Sequence, residues 1–132
     1  RRHFRTSGAQ SVNTAAMSRS VAAGRVVSIE SAPTLADGLA GQIDDDALDI
    51  GQHALDGIVT LTEEEIAQTI RWLAEQHDER VEGAGACGVA AVLLRRITPE
   101  TPCAIVVSGG NIDESRWNSI VDSSNSPDSS NS

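Results

Sequence analysis

The sequence predicts an α/β fold built on a partial open, mostly parallel sheet with flanking helices. Three observations carry that expectation. Candidate strands and helices alternate along the chain, the order that gives a parallel sheet. The run 102–107 is wholly apolar, the pattern of a strand covered on both faces. The segment from Gly83 to about Arg95 is apolar all round a helical wheel, which demands burial on every side. A chain of 132 residues with three aromatics (Phe4, Trp72, Trp117) hardly supplies that cover. The chain therefore reads as part of a larger domain.

The elements follow in order. Residues 1–11 are polar and read as an irregular N-terminal segment. Residues 13–23 read as a short helix, with Asn13 as N-cap and Gly24 as its stop. Residues 26–29 are a short strand candidate. Ser31-Ala32-Pro33 turns the chain into Thr34-Leu35-Ala36-Asp37-Gly38-Leu39-Ala40. Residues 42–46 form an acidic loop, 47–55 a weak helix and 57–61 a strand. Thr62 opens the best-marked helix, because Glu65 three residues on completes a capping box. Glu63 and Glu64 add negative charge where the helix dipole favours it, and Leu61 can staple onto Ile66. Ile66, Ile70 and Leu73 share a face with Ala67 and Ala74 beside them. Trp72 falls nearly opposite, either at the surface or under chain that is not here. Residues 80–82 are extended, and the apolar helix and apolar strand follow. Residues 122–132 are rich in Ser and Asn and read as a disordered tail.

Composition excludes several functions. Nineteen acids against ten arginines leave a net charge of -9. That balance argues against nucleic acid and against anionic membrane, both of which reward basic patches. Three aromatics make no base-stacking surface. Lysine is absent altogether, so a lysine Schiff base and a P-loop phosphate lysine are both out of reach for this chain alone. No stretch approaches the ~20 apolar residues of a membrane span. The basic start, Arg1 to Arg5, has no apolar run after it and does not read as a signal peptide. Cys87 and Cys103 lie in apolar runs without metal or redox spacing. They read as buried, reduced thiols of a cytoplasmic protein. His3, His53 and His77 are scattered. Asp44-Asp45-Asp46 with Asp49 lacks the glycine and closing glutamate of a calcium loop, so no metal site is expected.

In open parallel sheets, ligands bind beyond the carboxyl ends of the strands. Two glycine-bearing turns sit at such places here. Glu82-Gly83-Ala84-Gly85-Ala86 leads into a helix N-terminus, which offers free N–H groups, and Ser108-Gly109-Gly110-Asn111 follows the apolar strand. Each alone is weakly informative.

Together with two further segments they resemble one family. Thr34-Leu35-Ala36-Asp37-Gly38 is similar to the T-[IL]-A-D-G motif of threonine and serine dehydratases, the fold type II pyridoxal-phosphate enzymes related to serine racemase. Glu82-Gly83-Ala84-Gly85-Ala86 resembles their E-G-A-G-A or E-P-x-x-A segment. Ser108-Gly109-Gly110-Asn111-Ile112-Asp113 resembles their S-G-G-N-[IV]-D. Thr60-Leu61-Thr62-Glu63-Glu64-Glu65-Ile66 resembles their V-[ST]-E-[DE]-E-I. The four occur in the family's order and at about its spacing, over residues 12–121.

The resemblance implies roles at the matching positions. Ser108 matches the serine whose hydroxyl meets the pyridine nitrogen of pyridoxal 5'-phosphate. A neutral partner there suits elimination over transamination. Gly109 and Gly110 would let the backbone pass close to the ring. Glu82 matches a carboxylate near the ring face. Asp37 lies close to the active site or has a structural role, and Asn111 lies close to it or only fixes the turn. The family's chemistry is α,β-elimination of water from a hydroxy amino acid, giving a 2-oxo acid and ammonia. The departures are as specific as the matches. The lysine that holds the cofactor belongs to an S-x-K-x-R-G motif, which is missing here. So is the glycine-rich loop that cups the phosphate. Arg5-Thr6-Ser7 stands where the cation-site glutamate would fall. The expectation is therefore the C-terminal part of a dehydratase-like enzyme, holding one wall of the cofactor pocket and inactive alone. A lysine-bearing partner chain would be needed to complete it. The alternative is a non-catalytic module, derived from that fold, that binds an amino acid or a protein.

Overall fold

A computed structural model describes residues 4–123. Its elements are β1 (Ser7–Ser11), α1 (Ala16–Ala23), α2 (Asp45–Ala54), β2 (Gly57–Leu61), α3 (Glu63–His77), α4 (Gly83–Leu93) and α5 (Glu114–Asp122). β1 and β2 pair in parallel, from Ser7 opposite Gly57 to Ser11 opposite Leu61. Helices α1 and α2 cross over between the two strands, and α3, α4 and α5 follow them. The core lies between the sheet and α3, α4 and α5. It is built from Leu61, Ile66, Ile70, Leu73, Ala86, Cys87, Ala90 and Ile120 among others. The α/β class and the parallel pairing expected from the sequence are both present.

The best-marked helix forms as its sequence predicts. Thr62 Oγ1 accepts from the Glu65 amide at 3.2 Å, and Glu65 Oε2 accepts from the Thr62 amide at 2.9 Å. Leu61 and Ile66, the staple pair, are both fully buried. The acidic cluster before α2 is also a helix start. Asp44 Oδ1 accepts from the Ala47 amide at 2.8 Å, and Asp45 and Asp46 occupy the first turn.

Several expectations are corrected. Residues 1–11 are not irregular throughout, because β1 occupies Ser7–Ser11. Its Ser and Gly content gives no strand signal; pairing with β2 makes it a strand. Asn13 is not a helix N-cap. Ser11 Oγ accepts from the Asn13 amide at 3.1 Å and opens a short 3-10 turn at Val12–Thr14, while Asn13 Nδ2 donates to Pro33 O at 2.7 Å. Helix α1 starts at Ala16 and stops at Gly24 in the left-handed conformation, the stop that the sequence predicts. Residues 26–29 are not a strand. Their backbone is taken by side chains, with Val27 N donating to Ser20 Oγ and the Gln42 amide bonded to both N and O of Ile29. Trp72 is half-buried against the core, its ring 4.7 Å from that of His77.

The largest departure is the apolar run 102–107. It forms no strand and is exposed throughout. A strand needs a neighbour to satisfy its N–H and C=O groups, and among the described residues the run pairs with neither β1 nor β2. Cys103 accordingly lies at the surface, unlike the buried Cys87. Burial of α4 is also incomplete, since Leu93 is exposed while Gly83, Gly85, Ala86, Cys87, Ala90 and Ala91 are buried. The Ser/Asn-rich tail from 124 onwards lies outside the described residues, as does His3.

Candidate functional site

The glycine-bearing turns and the Thr34–Gly38 motif converge on the N-terminus of α4. Gly83 packs directly against the Leu35 carbonyl, an approach that leaves no room for a side chain. On the other side, Glu82 N donates to Gly109 O at 3.1 Å. Gly109 has φ 79°, and its α-carbon lies under the Glu82 carboxylate, so a side chain there would both strain the turn and collide with Glu82. The motif helix α3 anchors the same cluster. Glu63 accepts from the Leu35 amide at 2.7 Å with one oxygen and from the Ser11 hydroxyl with the other. One carboxylate thus ties the end of β1 to the loop that carries Asp37.

These contacts shape an open polar cavity of about 320 Å³ lined by Leu35, Asp37, Glu82, Gly83, Asn111, Ile112, Asp113 and Arg116. Three of the sequence-selected residues, Asp37, Glu82 and Asn111, therefore meet in one place. Ser108, Gly109 and Gly110 lie on the adjoining loop, with Ser108 exposed and its hydroxyl making no hydrogen bond among the described residues. Arg116 is absent from the residues that the sequence marks. Its Nη1 bonds Asp37 Oδ2 at 2.6 Å, across 79 positions of sequence, and closes the cavity between the Thr34–Gly38 loop and α5. Nothing local marks it, because the pairing exists only once α5 has folded back. Arg80 holds the start of α5 from the other side. It donates to Ile112 O and Glu114 Oε2, each at 3.0 Å, and lies 5.0 Å over the Trp117 ring.

The thiol nearest this cluster does not act in it. Cys87 Sγ donates to Gly83 O at 3.3 Å. Burial, and then the Glu63 carboxylate, push its pKa up to about 11. At neutral pH it is a protonated core group.

The donor set tests the cofactor that the sequence resemblance implies. Three carboxylates and one guanidinium line the cavity, so its wall is net anionic and repels a phosphate. The chain holds no lysine to join the aldehyde. The residues present do not complete a pyridoxal phosphate site.

Comparison with known proteins identifies the family. Residues 1–109 match the family of pyridoxal-phosphate dependent enzymes. The L-threonine ammonia-lyase of Thermotoga maritima is 42% identical over 115 residues, which are 86% of this chain and 29% of that protein. Among solved structures, the T.th. threonine deaminase superposes with a TM-score of 0.75 at 32% identity, over 83% of this chain and 40% of that one. Maize serine racemase superposes with a TM-score of 0.74 at 26% identity, over 88% of this chain and 37% of that one. This chain thus spans well under half of each relative. With its four motifs gathered around α4 and its match over most of its length, the chain belongs to the family of pyridoxal-phosphate dependent enzymes.

Proposed function

We propose that this chain is the C-terminal part of a threonine/serine dehydratase-like lyase, and that it is inactive alone. The observation that carries the reading is the cavity where Asp37, Glu82 and Asn111 meet beside the Ser108 loop, in a chain without a lysine. The domain read from the motifs as residues 12–121 extends back to Ser7, to include β1, and on to Asp122, the end of α5, with the residues beyond as a tail. Bound in a completed site, pyridoxal phosphate supplies the electron sink for loss of water from a hydroxy amino acid. The chain's own contribution is shape and polarity. Ser108 would offer a neutral hydroxyl to the ring nitrogen, Gly109 and Gly110 would leave room for the ring, and Glu82 would place a carboxylate near its face. Asp37, fixed by Arg116, and Asn111 hold the cavity's outer wall. Net reaction in the complete enzyme converts the hydroxy amino acid to a 2-oxo acid and ammonia. Two unpaired thiols and the amino-acid chemistry of the relatives support a cytoplasmic location.

The test is turnover. The purified chain with pyridoxal phosphate and threonine or serine should release no 2-oxo acid above the rate of free cofactor, and release should appear when a lysine-bearing complement is added. Turnover by the chain alone would overturn the reading. Saturable amino-acid binding without turnover, even after complementation, would favour the binding module instead.

A further inference from the structure

Helix α5 is attached to the molecule differently from the helices before it. Ile120 is its one buried residue, where α3 buries Ile66, Thr69, Ile70 and Leu73. Trp117 adds a half-buried ring against the core. Arginines make the polar attachments, each at its own point. Arg71 of α3 donates to Ile120 O at 3.3 Å and to Ser123 Oγ at 3.0 Å, and its other Nη donates to Glu64. Arg80 holds the first turn through Ile112 O and Glu114, and Arg116 reaches out from α5 to Asp37. The two ends are held unequally. The Arg71 side chain is 17% exposed and bonds the buried Ile120, whereas those of Arg116 and Asp37 are 41% and 68% exposed. The far end is anchored. The end at the cavity is held by ion pairs that water and salt weaken. The chain that enters α5, Ser108–Asn111, is exposed and contains the Gly109-Gly110 pair. The same end builds one side of the cavity, because Asn111, Ile112, Asp113 and Arg116 come to it with α5 and the turn before it.

We propose that α5 is a lid, latched by the Arg116–Asp37 pair, and that the cavity is complete only while the cavity-facing end of α5 is docked. The latch joins α5 to the loop on the opposite wall, and an exposed pair opens at little cost. A helix of nine residues keeps no structure on its own in water, so undocking melts its first turns instead of swinging a rigid rod. As control of the candidate site the lid rests on the reading above. Its motion stands on the attachments of α5 and is measured without turnover, so failure of one leaves the other standing.

Native-state amide exchange of the full chain tests it, read residue by residue in low and high salt. The amides of 117–119, beginning with Trp117 bonded to Asp113 O at 2.8 Å, should exchange faster than those of Ile66 and Ile70 and slower than unstructured chain. Raising salt from about 0.05 M to about 1 M should speed 117–119 roughly threefold relative to Ile66 and Ile70. Arg116→Gln and Asp37→Asn should each give a similar threefold gain in low salt, and the double variant no more than either. Both side chains are partly exposed, so the variants keep the fold; the salt series on the unaltered chain decides the matter even where one does not. Exchange of 117–119 in step with α3, exchange at the unstructured rate from the outset, indifference to salt, or additive effects of the two variants would each overturn the lid.

Discussion

Two cysteines sixteen positions apart behave as different chemical species because of where the backbone leaves them. Cys87 is buried with its pKa raised to about 11, while Cys103 stands at the surface. A thiol-specific reagent at neutral pH should label Cys103 alone in the native chain, and both thiols only after denaturation; peptide mapping of the labelled protein checks this. Glu65 shows the opposite kind of shift. Burial raises its pKa, but the Thr62 amide and the Arg96 guanidinium outweigh that, and the carboxyl ends below its usual value of 4.5. A lowered folded-state pKa adds stability that is present above 4.5 and is lost as the pH falls through the folded value. Acid unfolding should therefore lose part of its slope below pH 4.5 in Glu65→Gln, as seen in melting curves taken across that range. Glu82, Asp37 and Asn111 were legible as candidates because each sits in a short motif, and the fold brings the three to one cavity. Arg116 was not, because its partner Asp37 is named by tertiary closure rather than by spacing.

Helix α3 was the most legible element, since its cap, dipole charges and apolar face all agree. Removing one of those signals should have a measurable cost. Thr62→Ala leaves the Glu65 amide without its side-chain acceptor and should destabilise the chain by about 1 kcal/mol in urea unfolding. Ile70→Ala, at a fully buried position, should cost roughly 2–5 kcal/mol, enough to threaten folding outright. Strand β1 was illegible because Ser7, Gly8, Ala9 and Gln10 carry no strand preference of their own; β2 imposes the conformation. Residues 26–29 failed in the reverse direction, with apolar character but a backbone already claimed by Ser20 and Gln42. The run 102–107 reads as a strand covered on both faces, and the structure overturns that reading, because the run meets no strand neighbour among the described residues and stays exposed.

At the scale of the whole molecule, order should be graded rather than uniform. The amides of α3 and α4 lie over the buried core, whereas residues 103–108 make no backbone hydrogen bonds among the described residues. Native-state amide exchange of the isolated chain should be slowest at Ile66, Ile70 and Ala90, and close to the unstructured rate at 104–107. The class of the fold was legible because alternation of elements depends only on sequence order, while the strand count was not, because pairing is settled by tertiary contact. The parallel ladder itself carries a kinetic consequence. Ser7 meets Gly57 and Ser11 meets Leu61, so every rung joins residues fifty positions apart. Such a loop must close before any rung forms, and closure is an entropic toll that local helices do not face. During synthesis β1 precedes the crossover helices and β2, and it waits unpaired until they have followed it out. β1 acquires its pairing only when β2, fifty positions on, can meet it.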